Sequence, residues 1–159
     1  MTRILALALA LAAAHPATAQ TNINLGGIRA DSTAAVEVTA ETLSVDQDSG
    51  TAVFSGNVII GQGDMRISAE NVRVVYSDAT GDIAQLLATG GVTFVTATEA
   101  AQAQTADYNS ATGIMILSGD VLLTQGASAL TAEQMTVDLE TGQAQLSGGV
   151  RTVFQQDGN

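Results

Sequence analysis

At 159 residues, with 46% hydrophobic residues and a formal net charge of −11, the chain has room for one domain with a modest core. It contains no Cys, and its single His (His15) and single Pro (Pro16) lie near the start. That excludes a disulfide framework and, beyond residue 16, Ser-His or Cys-His nucleophiles and His-Cys metal clusters.

Residues 1–19 read as a cleaved secretory signal peptide. Arg3 gives a basic start, Ile4 to Ala14 an apolar run of eleven, and Ala17-Thr18-Ala19 a small-x-small site, with cleavage expected before Gln20. Eleven apolar residues are too few to cross a bilayer, which takes about 20. Cleavage would leave four Arg and no Lys against 16 acidic residues, a net charge of −12. Such a chain offers no basic stripe for nucleic acid and no electrostatic grip on an anionic membrane. A secreted, Cys-free domain fits a bacterial periplasm.

Residues 20–35 are polar with isolated Ile23, Leu25 and Ile28. They read as a flexible N-terminus or as an edge strand, Ile23 to Ile28, that orders against a partner; the first is the favoured reading. From Val36 the pattern turns β. Val36, Val38 and Ala40 alternate with polar residues, and Leu43 and Val45 continue with opposite parity, which predicts a corner near Ala40 to Thr42 that keeps the apolar side inward. Strand regions follow over Thr51 to Gln62 and Met65 to Tyr76, with Phe54, Gly56, Val58 and Ile60 on one parity. The glycine is expected to relieve a crowded interior corner or to permit a bend. Ile83 to Asn109, Ile114 to Gly142 and a shortened last strand from Gln143 to Phe154 repeat the scheme; 155–159 is a polar tail.

Three phrases recur. Ser55-Gly56-Asn57-Val58 returns at Thr89, Ser118 and Ser147, at intervals of 34, 29 and 29 residues. Val38-Thr39-Ala40-Glu41 is matched to Ile67-Ser68-Ala69-Glu70, Gln104-Thr105-Ala106-Asp107 and Leu130-Thr131-Ala132-Glu133. Asp48-Ser49-Gly50, Ala79-Thr80-Gly81, Ala111-Thr112-Gly113 and Glu140-Thr141-Gly142 close the units. A period of this size marks stacked units, none of which buries its apolar face alone. The reading is all-β: an elongated coil of antiparallel sheet lined by Val, Ile, Leu, Ala and Met.

Little in it suggests chemistry. The pairs Asp46 with Asp48 and Asp138 with Glu140 have spacing that glycosidase acids or calcium ligands could use, yet acids beside turns more simply keep a sheet soluble and blunt its edges. The Arg residues read mostly as exposed partners of the surplus carboxylates. No enzyme activity and no cofactor are expected.

The run Val38-Thr39-Ala40-Glu41, Gly50, Phe54-Ser55-Gly56-Asn57-Val58 and Ile67-Ser68-Ala69-Glu70, behind a signal peptide, resembles the OstA-like domain of the LptA family over Val36 to Phe154. The resemblance implies a twisted, partly open β-jelly-roll (β-taco, residues 36–154) whose apolar groove holds the lipid A chains of lipopolysaccharide. Here Phe54, Val58, Ile60, Val92, Phe94, Leu117, Val121 and Leu123 would line it. It also implies a periplasmic bridge from inner to outer membrane, with end-to-end strand pairing between copies, an LptC-like partner on the N-terminal side and an LptD-like partner on the C-terminal side. The chain departs from the family in being short, acidic and without Lys. Two other readings stand beside it: a closed structural or adhesive β-repeat, and a lectin-like module using calcium.

Overall fold

The structure, a computed structural model, describes residues 21–24 and 33–154; the expected signal peptide (1–19) and polar tail (155–159) lie outside them. Eleven strands run in order: β1 (Thr21–Asn24), β2 (Val36–Thr39), β3 (Thr42–Asp46), β4 (Thr51–Gln62), β5 (Met65–Tyr76), β6 (Ile83–Val95), β7 (Glu99–Asn109), β8 (Ile114–Gln125), β9 (Ser128–Asp138), β10 (Gln143–Ser147) and β11 (Arg151–Phe154). No helix occurs among the described residues. All pairings are antiparallel, in the order β1-β10-β9-β8-β7-β6-β5-β4-β2, with β3 also on β4 and β11 also on β9. The fold is the partly open antiparallel β-jelly-roll that the resemblance implies.

Each long strand bends once, and the bends line up. At every bend two residues of one strand oppose one of the next: Gly56 and Asn57 against Glu70, Gly90 and Gly91 against Gln104, Gly119 and Asp120 against Glu133. This two-against-one count is a β-bulge, and it folds the sheet along one spine. The paired residues have positive φ, from 45° at Asn57 to 87° at Gly90. Only Gly, Asn and Asp adopt that region readily, which accounts for the residues that follow each Ser or Thr in the first phrase.

Bending divides the sheet into two layers. Layer 1 holds β3, 51–55, 71–75, 85–89, 105–109, 114–118, 134–138 and β10; layer 2 holds β2, 58–62, 65–68, 93–95, 100–102, 121–125, 128–132 and β11. Their inner faces share one core, in which Phe94, Met115, Leu117, Leu123, Met135 and Leu146 are fully buried. The hairpin turns that hold Gly50, Gly81, Gly113 and Gly142 lie at the end of layer 1 away from the spine, and those that hold Gly63 and Gly126 at the corresponding end of layer 2, all six glycines at positive φ.

Several expectations are corrected. Gly56 does not relieve a crowded interior: a Cβ there would come within 2.9 Å of Glu41 Cβ, so the crowding is at the spine, outside the core. Leu43 and Val45 share the inner face with their partners Phe54 and Ala52, yet they are not buried: they are 56% and 60% exposed, because β3 ends its layer among the described residues. The last strand is two, β10 and β11, parted at Gly148-Gly149 onto different layers. In the third copy the second phrase lies three residues earlier than Gln104-Thr105-Ala106-Asp107. The residue packed on Gly119 is Gln104, so the true counterpart of Ala69-Glu70 is Ala103-Gln104. Of the N-terminal segment 20–35, residues 20 and 25–32 lie outside the described residues, and Thr21–Asn24 pairs with β10 of the same chain, Ile23 opposite Ala144.

Candidate functional site at the open end of the layers

With the spine closed by glycine bends, any opening between the layers must lie toward the hairpin ends. An apolar cavity of about 190 Å³ sits there. Val36, Ile60, Gln62, Met65 and Ile67 line it from layer 2, and Ile83, Leu86, Tyr108, Ser110, Met115 and Leu139 from the facing hairpin ends of layer 1. Alternation places these residues inward: Met65, Ile67, Leu86, Met115 and Leu139 are buried at the same parity as the core.

The few polar groups at this mouth are largely spoken for. Gln62 Nε2 donates to the Ala34 carbonyl at 3.2 Å, and Ser110 Oγ donates to the Ala84 carbonyl at 3.2 Å. The Tyr108 phenol is pushed above its ordinary value, first by burial and then by the nearby Glu140 carboxylate. It therefore stays neutral across physiological pH, which suits an apolar lining.

Seven of the eight residues expected to line a groove, Val58, Ile60, Val92, Phe94, Leu117, Val121 and Leu123, are buried together in the core, and Phe54 packs half-buried against it. Of the eight, Ile60 alone borders the cavity. Phe54, Val58, Val92, Leu117 and Val121 lie nearer the spine, while Phe94 and Leu123 share Ile60's row across the sheet but sit farther along it, in the packed core. The glycine phrases mark the bends, and the cavity lies beyond them toward the hairpin ends. The signal for the open side was the set of inward residues nearest the turns, among them Met65, Ile83 and Leu139.

The acidic pairs serve the turns. Asp46 Oδ1 accepts from the N–H groups of Asp48 and Ser49 at 2.9 and 3.2 Å, and Asp138 Oδ1 from those of Glu140 and Thr141, both at 2.9 Å. Asn109 Oδ1 does the same for Ala111 and Thr112. These are Asx-turns that start the hairpins. Arg66, expected to face carboxylates, donates instead to the carbonyls of Gly63 and Met65 at 2.7 and 2.8 Å, bracing its own turn. No cluster of His, Cys, Asp or Glu able to hold a metal occurs among the described residues.

Residues 37–143 match the model of the LptA/(LptD N-terminal domain) LPS transport protein family. The chain belongs to this family. Its matched region covers strands β2 to β9, and so both layers and the cavity between them. An uncharacterized protein of Rhizobium meliloti (strain 1021) is 25% identical over 146 residues, which span 86% of this chain and 78% of that protein. The fold matches the crystal structure of LptH from Pseudomonas aeruginosa, described as the LptA-homologous periplasmic component of the lipopolysaccharide transport device. The TM-score is 0.71 at 16% identity, over 80% of this chain and 99% of that one.

Proposed function

We propose that the chain is a periplasmic bridge component that carries the lipid A chains of lipopolysaccharide between its two layers, from inner toward outer membrane. The observation that carries this is the apolar cavity at the hairpin ends in a chain of an LPS-transport family. Each buried acyl methylene contributes about 0.8 kcal/mol without any polar site, so binding needs only apolar length. An apolar cavity of about 150 Å³ admits a benzene ring. The 190 Å³ here therefore takes the end of a chain, and a whole lipid A requires the layers to part at the mouth. The eight residues from Phe54 to Leu123 would then line the widened groove.

Assembly is by the ends. Large exposed apolar residues cluster on the terminal strands, with Val36, Leu43 and Val45 at one end and Val153 and Phe154, 74% exposed, at the other. Unpaired strand edges carrying such residues are built for strand addition. An LptC-like protein is assigned to the β2/β3 end and an LptD-like protein to the β10/β11 end, with further copies between them.

Photo-crosslinking in cells tests the groove. Crosslinkers at Ile60, Ile83 and Leu86 should capture lipopolysaccharide, and those at the outward Ile59 and Thr93 should not. Capture from the outward set alone would sink the reading. The rival reading, a closed structural repeat, draws on the full burial of Phe94, Leu117 and Leu123; it predicts capture from none of the five.

A further inference from the structure

We infer that β1 is an intramolecular cap on β10, holding the edge at which strand β3 of a second copy would continue the sheet. The inference rests on the end-to-end assembly proposed above.

Strand count is the first argument. Leaving β1 aside, each layer has eight strands, ending at β3 and β10 in one and at β2 and β11 in the other. β1 is a ninth strand of layer 1 with no counterpart in layer 2, where β11 ends the sheet among the described residues. Two copies whose layers both pair across a junction need flush ends. β1 offsets one layer by a strand spacing, about 4.8 Å.

Direction is the second. β1 runs from Thr21 opposite Leu146, near the spine, to Asn24 opposite Gln143, at the hairpin end. β3 runs the same way, from Thr42 opposite Ser55 beside the bend to Asp46 opposite Thr51 at the turn. An incoming β3 would thus meet the same backbone edge of β10 in the same antiparallel sense. The two strands exclude each other.

Weakness of the hold is the third. β1 makes four register pairs with β10, against five between β3 and β4. So short a pairing gives up conformational entropy to exist. Such a cap protects the edge of a lone molecule and yields to a partner strand.

The chain has no Cys, so Asn22→Cys with Gln145→Cys, register partners, would form its sole disulfide. The chain from Gln20 carrying this pair, oxidised and then reduced, is compared with a chain starting at Leu25. Binding of a fluorescent peptide of residues 40–48 reads the edge, and sedimentation velocity reads assembly. The oxidised form should bind the peptide at least about ten-fold more weakly than the reduced and shortened forms. Equal binding by all three, nil included, overturns the cap. So does assembly by the oxidised form that the shortened chain loses, since β1 would then be donated between copies. Peptide binding that discriminates, with no oligomers from any form, leaves the cap standing and removes self-assembly from the proposed function.

Discussion

Gln104 and Asp120 meet across the bend between β7 and β8, the Gln104 amide Nε2 donating to Asp120 Oδ2 at 2.7 Å. At the first bend Asn57 Nδ2 donates to Glu41 Oε1 at 2.6 Å. The amide and the carboxylate have exchanged strands, but these two bends keep one of each. Gln104→Glu would set two carboxylates against each other, at an expected cost of about 1 kcal/mol for a solvent-exposed pair. Adding Asp120→Asn restores an amide–carboxylate pair and should recover most of it. A urea-unfolding double-mutant cycle measures this; simple additivity would mean the pair contributes nothing.

The two glycines of the second bend differ in what surrounds them. A Cβ on Gly90 would lie 2.5 Å from Glu70 Cβ, while one on Gly91 would meet nothing within 4 Å, although their φ values are 87° and 85°. Gly91→Ala therefore carries only the left-handed backbone penalty, about 1–2 kcal/mol. Gly90→Ala adds a clash with an atom that no side-chain rotation can move, and should cost about 3 kcal/mol or more. Glu70→Gly in the Gly90→Ala background should recover the difference. Equal costs at the two positions would show that Glu70 yields freely.

These bends explain what could be read beforehand. The first phrase is legible because positive φ restricts its second and third positions to Gly, Asn or Asp, and that restriction leaves a mark at every copy. The second phrase is less so. Its last position needs only a side chain that reaches across the neighbouring glycine, which Glu41, Glu70, Gln104 and Glu133 all do. An acid at this position points instead to Asp107, which is paired with Leu87 and Ile116 well away from the bend. The exposure of Leu43 and Val45 was hidden for another reason. Alternation gives the face of a strand, not whether another strand lies beyond it. The pairing of Thr21–Asn24 with β10 joins segments more than a hundred residues apart, and no periodicity records it.

The Asx-turn at Asp138 makes a pH prediction. Its carboxyl is held below the ordinary 3.8, chiefly by the Thr141 backbone N–H, and the folded form thus favours the charged carboxylate. Stability from this turn is present above the unfolded value and is lost as pH falls from 3.8 through the lower folded value. Asp138→Asn should keep the turn, as Asn109 does in its own hairpin, while removing this part of the acid sensitivity. Asp138→Ala should lower the melting temperature at neutral pH as well. A melting curve for Asp138→Asn with unchanged acid dependence between pH 2 and 4 would assign the sensitivity elsewhere.

Tyr108 offers a reporter of the cavity. Burial, more than the Glu140 carboxylate, raises its phenol above the ordinary 10.0. Because the folded value is the higher, the stability it contributes is complete below pH 10 and is lost as pH rises through the folded value. In a Tyr76→Phe background it is the single tyrosine, so tyrosinate absorbance follows it alone. Glu140→Gln should move the midpoint down but leave it above the ordinary value, since the larger cause remains. Acyl chains filling the cavity would bury the ring further and move the midpoint up, a shift that lipid lying elsewhere on the surface cannot produce. Added lipopolysaccharide that binds the protein yet leaves the Tyr108 midpoint where it was would place the lipid outside the layers.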